Sequence, residues 1–241
     1  MDVLAAHAAR HPEKPALLEG ERAWSWGELV ARRNRLAHGL IGLGLAPGGH
    51  VIVYAENSLE HYLAGVAARA AGLIPAPMNH RLVAEEALYI LEHSDAVAVL
   101  VSDRFLPVVE AVRAQAKKVR QWILLGSARR PWGVHVDDLL AAGRPDPVEP
   151  RGGEGFGASI IYTGGTTGKP KGALRRGINP QDLMDTLGAM DLLDPAHVHL
   201  VAGPMYHSAP GGFALYTHLV GGTVVIMPKF DPEQALAEIA R

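Results

Sequence analysis

Cysteine is absent from this 241-residue sequence. That removes disulfides and thiolate metal sites, and it fits a reducing, cytoplasmic setting. An excess of positive charge is lacking too: 23 Lys and Arg stand against 25 Asp and Glu, a formal net of −2. Such a balance cannot neutralise a phosphate backbone, which excludes nucleic acid as a main partner. A secretory signal is missing, since MDVLAAHAARHPEKP has no basic flank, apolar run or small-residue cleavage site. A membrane span is missing as well. The stretch Pro195 to Pro228 carries no Lys, Arg, Asp or Glu, but a spanning helix needs roughly 20 mostly apolar residues in a row. Pro204, Pro210, Gly211, Gly212, Gly221 and Gly222 interrupt this one, and four His lie inside it. Short buried strands and turns suit it better. What the chain does have is 48% hydrophobic residues, too many for disorder and enough to bury one large core or two modest ones.

Apolar runs of strand length alternate with helical patterns. Strands are expected at His50–Tyr54, Leu73–Pro77, Ala96–Val101 and Val119–Leu124, with helices over Leu59–Ala71, Val83–His93 and Phe105–Lys117 between and after them. Ala96–Val101 (AVAVLV) is the unbroken apolar run that a parallel strand covered on both faces requires. Gly143–Gly157, rich in Gly and Pro, reads as a surface connection. It leads into a strand at Ala158–Tyr162, then a helix near Pro180–Met190 and a strand near His197–Val201. A helix after Gly212, a strand at Thr223–Met227 and an amphipathic helix from Pro232 complete the chain. Strands separated by helices of this length give an α/β fold of βαβ units.

Directly after the Ala158–Tyr162 strand stands Tyr162-Thr-Gly-Gly-Thr-Thr-Gly-Lys-Pro-Lys-Gly172. Gly164, Gly165 and Gly168 permit positive φ and close backbone approach. Successive N–H groups in such a loop form an anion-holding concavity. Thr163, Thr166 and Thr167 add hydroxyls, and Lys169 and Lys171 add charge-assisted donors. Together they describe a polyphosphate cradle. It is not the GxxxxGK[ST] loop, because Thr163 stands at the first glycine position and Pro170 at the Ser/Thr position. A dinucleotide fingerprint fails too, since Gly153-Glu-Gly155 precedes its strand instead of following it.

The string resembles the phosphate-binding signature YTSGTTGxPKG of the adenylate-forming superfamily: acyl-CoA synthetases, aryl-CoA ligases, luciferases and peptide-synthetase adenylation domains. Gly165 replaces the usual Ser, a variant associated with fatty-acyl-CoA synthetases. Other segments match along nearly the whole chain. Trp24-Ser-Trp26-Gly-Glu28-Leu looks like the entry into the family's first long helix, and Pro47-Gly48-Gly49-His50-Val51 like its GxxxGDxV turn. Asn57-Ser58 resembles its xNS helix start, and Ala76-Pro77-Met78-Asn79-His80-Arg81-Leu82 its VPxNPRL. The resemblance implies the large N-terminal, AMP-binding domain of that superfamily, built of layered βαβ units and truncated. Residues 50–190 would form roughly one α/β subdomain, and 1–49 with 191–241 part of a second. Family members are roughly twice this length. The adenine and Mg²⁺ segment, the ribose acid, the hinge and the C-terminal domain with its adenylation lysine are not in this sequence.

Ala202–Gly212 (AGPMYHSAPGG) is similar to a family stretch in which an aromatic–His pair borders the acyl and adenylate pocket. The resemblance gives that role to Tyr206 and His207, and has Gly211 and Gly212 open the next helix near the acid. Amino-acid-activating members commonly carry an Asp here; none is present, which favours a plain carboxylic acid. His197 and His199 alternate along a strand but lack a third ligand, so no metal site is read from them. His7 and His11, one helical turn apart, read as an exposed face. Glu85-Glu86, Asp137-Asp138 and Arg129-Arg130 read as solvated surface; Arg175-Arg176, which stand where the family often has Thr-His, either assist phosphate binding or face solvent.

The activity the resemblance implies has two steps. A carboxylate attacks the α-phosphorus of Mg-ATP to give acyl-adenylate and pyrophosphate, and a thiol, usually coenzyme A, then takes the acyl group. No protein nucleophile is needed; positioning and charge stabilisation do the catalysis. The Gly/Thr loop would hold the departing phosphates, with Lys171 of the PKG triplet as the anchor, Lys169 beside it, and His207 at the acid. Expected partners are ATP, Mg²⁺, a fatty acid and coenzyme A, and the sequence leaves homodimerisation open. Aryl-acid ligases, peptide-synthetase adenylation domains and a naturally short, non-catalytic nucleotide-binding protein are the alternatives.

Overall fold

The computed structural model describes residues 2–152, 158–163, 169–177 and 179–240. The chain opens with α1 (Val3–Arg10), the strands β1 (Pro15–Glu19) and β2 (Arg22–Ser25), and the long α2 (Trp26–Gly42). Then come β3 (His50–Tyr54), α3 (Leu59–Ala70), β4 (Ile74–Pro77), α4 (Ala84–His93) and β5 (Ala96–Val101). A 3-10 turn leads into α5 (Leu106–Val112), followed by β6 (Gln121–Leu124), β7 (Val134–His135) and α6 (Val136–Ala142). β8 (Ser159–Thr163) and β9 (Lys171–Arg175) precede α7 (Pro180–Ala189), β10 (Val198–Val201), α8 (Ser208–Leu219), β11 (Thr223–Ile226) and α9 (Pro232–Ala240).

The five-stranded sheet runs in the order β4-β3-β5-β6-β7 and every pairing in it is parallel. Its alternation of side chains sorts two cores. Val51, Val53, Ala98, Leu100 and Ile123 face one side, with α2 and α3. Ile52, Tyr54, Val99, Val101 and Leu124 face the other, with α4 and α5. A strand buried on both faces needs an apolar residue at every position, which is why AVAVLV carries no polar interruption. The second sheet, β10-β11-β1-β2, is parallel except for the β1–β2 hairpin. Its Leu17, Val224 and Ile226 join the first of the two cores, so α2 and α3 lie between the sheets.

Local signals set the helix ends. The Ser25 hydroxyl accepts from the Glu28 N–H at 3.3 Å, and the Glu28 carboxylate accepts from the Ser25 N–H at 2.9 Å. This reciprocal cap stabilises the start of α2 by about 1 kcal/mol. Ser58 caps α3 in the simpler way, accepting from the His61 N–H at 3.0 Å.

Three expectations change. The helix expected over Phe105–Lys117 ends at Val112, where the N–H groups of Gln115 and Ala116 both turn onto the Val112 carbonyl. The helix expected after Gly212 begins at Ser208, because proline is tolerated in a first turn. His7 is not on an exposed face: its Nε2 lies 3.0 Å from the Leu219 carbonyl and its ring 5.2 Å from that of Trp26. Among the described residues no helix is long and apolar enough to cross a membrane.

Candidate functional site

β8 and β9 form an antiparallel hairpin in which Thr163 pairs with Lys171 and Ser159 with Arg175. The phosphate-loop residues Gly164, Gly165, Thr166, Thr167 and Gly168, which follow β8 and precede β9 in sequence, lie outside the described residues. Lys169 Nζ stands 5.4 Å from the Tyr89 ring centre, and the Tyr89 hydroxyl donates to the Pro170 carbonyl at 3.2 Å. These contacts hold Lys169 and Pro170 against α4. Lys171 and Thr163 are exposed. The hairpin has two faces. Ile160 and Tyr162 pack toward α4 and α5, while Ser159 and Ile161 face a cavity.

The second segment singled out in the sequence links β10 to α8. Asn57, buried at 5% exposure, holds it. Its amide nitrogen donates to the carbonyls of Gly203 at 2.9 Å and Met227 at 3.1 Å, and its oxygen accepts from the Met205 N–H at 2.8 Å. Three backbone groups from the end of the second sheet are thereby tied to the β3–α3 connection of the first. Just beyond, the Gly211 N–H donates to the His207 carbonyl at 3.2 Å. A Cβ on Gly211 would stand 2.5 Å from the Met205 carbonyl oxygen, so glycine is required for α8 to lie this close. Gly212 has no such neighbour; its nearest would be the Tyr216 ring at 3.9 Å.

The cavity, about 90 Å³, lies between α3, α8, β4 and the hairpin. By this measure one water needs roughly 10–15 Å³, so the space takes several groups of that size. His207, Gly211 and Gly212 form one wall with Met205, and His61 and Tyr62 of α3 form another. Tyr206 turns away from it. Its ring lies 5.1 Å from His80, edge-on, and His80 stacks on Phe105 at 5.9 Å. Thr163, Lys169 and Lys171 do not line the cavity. The expected site residues therefore fall into a cavity group, His207, Gly211 and Gly212, and a hairpin-tip group, joined by the strands of the hairpin.

Two histidines not singled out for this site stand near it: His61 lines the cavity, and His80 packs on Tyr206. His61 Nδ1 lies 3.1 Å from each of the Ala55 and Glu56 carbonyls. Only an N–H can meet two carbonyls, so the proton is on Nδ1 and Nε2 is left as an acceptor. Burial pushes its pKa down to about 4, keeping the ring neutral at pH 7. His80 is held below the ordinary range by burial first, then by the charges of Arg104 and Arg81. Its Nδ1 is buried without a hydrogen-bond partner among the described residues. The Asn79-His80-Arg81 string was legible as a motif; the direction of the His80 ring was not.

A wider crevice opens at the carboxyl ends of β3, β5 and β6, lined by Glu19, Glu56, Glu60 and Asp103. These four acids are occupied. Glu19 accepts from the Leu59 N–H, Glu60 pairs with Arg22, Ser102 donates to Glu56, and Asp103 accepts from the N–H groups of Ser127 and Ala128. His197 and His199 line a separate recess with Phe213 and Tyr216. Among the described residues no three His, Asp or Glu are grouped to hold a metal ion.

The family model for AMP-binding enzymes matches residues 4–241. The chain belongs to the AMP-binding enzyme family. Its relatives carry ligase names. A medium-chain-fatty-acid–CoA ligase of Ectopseudomonas oleovorans is 28% identical over 236 residues, covering 92% of this chain and 43% of the relative. Among solved structures, the N-terminal domain of FACL13 from Mycobacterium tuberculosis superposes with a TM-score of 0.83 at 27% identity, covering 98% of this chain and 59% of that one. ATP-bound MatB from Rhodopseudomonas palustris gives 0.83 at 27% identity, with 100% of this chain and 48% of that one covered. This AMP-binding chain thus spans less than half the length of the curated relative, and its fold is that of the N-terminal domains of acyl-CoA ligases.

Proposed function

We propose that this AMP-binding chain is the N-terminal part of an ATP-dependent carboxylate–CoA ligase that forms an acyl-adenylate and passes the acyl group to coenzyme A. The observation that carries the reading is the hairpin: its two strands flank the Gly/Thr/Lys string in sequence and wall the cavity bordered by His207. A phosphate-binding loop and room for an acid are then two parts of one ribbon.

In this reading residues 163–171 receive the β- and γ-phosphates of ATP, with Lys171 supplying the anchoring charge and Lys169 a lesser one. Mg²⁺ would arrive with the nucleotide. His207 borders the carboxylate, Tyr206 and His80 brace it from behind, and Gly211 and Gly212 leave the acid room beside α8. The acid's own oxygen is the nucleophile, so the side chains orient it, exclude water and stabilise developing phosphate charge. Residues 50–190 form about one α/β subdomain and residues 1–49 with 191–241 part of a second. The fatty-acid ligase names among the relatives favour an aliphatic acid.

Acid-dependent exchange of labelled pyrophosphate into ATP tests the reading. In the native polypeptide Lys171→Ala is expected to lower the exchange rate by about a hundredfold or more, the usual effect of removing one charge-stabilising donor, and Lys169→Ala by less. The 241-residue chain alone is expected to show no exchange. Exchange by that chain would refute its dependence on further segments. A native polypeptide that binds ATP yet exchanges with no acid would instead identify a non-catalytic nucleotide-binding protein.

A further inference from the structure

Tyr89 and His93 stand one turn apart on α4, with ring centres 5.3 Å from each other. They meet the chain on either side of the Gly/Thr string. The His93 Nδ1 lies 3.0 Å from the Tyr162 hydroxyl near the end of β8, and the two rings meet edge-on at 5.7 Å. The Tyr89 hydroxyl donates to the Pro170 carbonyl just ahead of β9, and the Lys169 ammonium stands over the Tyr89 ring. Gly172 makes room for the first of these contacts. It pairs with Tyr162 across the hairpin, and a Cβ on it would stand 3.0 Å from the phenol ring and 3.2 Å from its hydroxyl oxygen. Bare backbone at this position lets the Tyr162 side chain lie across β9 and reach His93.

The same contacts locate both lysines. Lys171 sits beside Gly172 and pairs with Thr163, so the hold of His93 on Tyr162 fixes the strand pairing from which Lys171 projects. Lys169 is exposed, and an exposed lysine loses rotamer freedom when it grips a phosphate. Laid over a ring beforehand, it loses less. A cation–π contact at an exposed site is weak beside a charge-assisted bond to phosphate. Tyr89 therefore orders the Lys169 stem without withholding its ammonium from an anion.

We propose that α4 is the seat on which the two phosphate-binding lysines are oriented. Tyr89 sets Lys169 and, through Pro170, the entry to β9; His93 sets Lys171 through Tyr162 and Gly172. Both are positioning residues that act through the hairpin. The inference rests on the reading of Lys169 and Lys171 as ligands of the β- and γ-phosphates of ATP.

Calorimetric titration of the native polypeptide with ATP and with AMP tests it, because only ATP carries the two outer phosphates. Wild type is expected to bind ATP the more tightly. Tyr89→Leu should weaken ATP binding by about threefold to tenfold, the size of one lost hydrogen bond, and leave AMP binding within about twofold. Tyr89→Phe keeps a ring under Lys169 and should fall between wild type and Tyr89→Leu. His93→Ala should show the same loss confined to ATP. In a Lys169→Ala background, Tyr89→Leu should lose part of its effect. Thermal melts check each fold, and His93→Ala with Tyr89→Phe decide the matter if Tyr89→Leu does not fold. Equal changes in ATP and AMP binding, or none in either, overturn the inference and leave these contacts as support for the fold alone. Wild type that binds the two nucleotides equally overturns it too. The ligase reading is judged separately by acid-dependent exchange: no exchange beside a loss confined to ATP would end that reading and uphold this one.

Discussion

Asn57 satisfies three backbone groups with one amide, and two of its partners lie at the Gly203–Met205 turn, about 150 residues away in sequence. Removing it leaves buried carbonyls and an N–H unpaired, each at about 1–3 kcal/mol. Asn57→Ala should therefore lose about 2–4 kcal/mol in urea unfolding, since the partners relax together and do not add fully. An unchanged midpoint would mean that water replaces the side chain without loss. Nothing local announces this role. Ser58 beside it gives the visible helix-cap signal, and an Asn that bonds to distant carbonyls has no sequence signature. The Tyr206-His207 pair was singled out through family resemblance alone, because a single His in an apolar run carries no chemistry by itself; His207 lines the cavity and Tyr206 does not.

At the scale of elements, legibility followed burial. β3 and β5 match their expected limits, His50–Tyr54 and Ala96–Val101, because a strand covered on both faces must be apolar throughout. β9 escaped notice for the opposite reason. Lys171–Arg175 is exposed at every position, so it has neither an apolar run nor an alternation, and only its pairing with β8 makes it a strand. The β1–β2 hairpin and the two-residue β7 were missed as well; each is short, and β2 has one buried residue. α8 offers a paired test of close packing. Gly211→Ala places a methyl 2.5 Å from the Met205 carbonyl oxygen and should cost about 1–3 kcal/mol as the helix shifts. Gly212→Ala has room, and its higher helix propensity should make it neutral or stabilising. Equal unfolding midpoints for the two variants would contradict the packing account.

The whole molecule couples its two sheets through buried polar groups with a pH signature. His218, fully buried, has its Nε2 2.8 Å from the Ala16 carbonyl and its Nδ1 2.7 Å from the Tyr62 hydroxyl. Nε2 therefore carries the proton and Tyr62 donates to Nδ1. Burial pushes the His218 pKa down to about 4, as it does for His61. In the unfolded chain both would take a proton near 6.5. Below that pH the unfolded state binds more protons than the folded one, so stability falls as pH drops from about 6.5 toward 4 and levels off below. The loss is expected to reach several kcal/mol across that window. Urea melts at pH 7 and pH 5 should separate clearly, and His218→Gln should narrow the gap. A flat profile would show that both rings take a proton in the folded state as readily as in the unfolded chain.

The two faces of β8 carry an evolutionary consequence. Ser159 and Ile161 belong to the cavity, and Ile160 and Tyr162 to the core beneath α4 and α5. A strand repeats every two residues, so deleting or inserting a single residue within it would exchange the two sets, turning a tyrosine into the cavity and a serine into the core. The ribbon can gain or lose residues only in pairs if both faces are to survive. Lengthening it by two would extend the strands by about 7 Å while every side chain kept its side. Natural variation in the length of that ribbon should therefore come in steps of two residues along the strands, with odd changes confined to the residues between them.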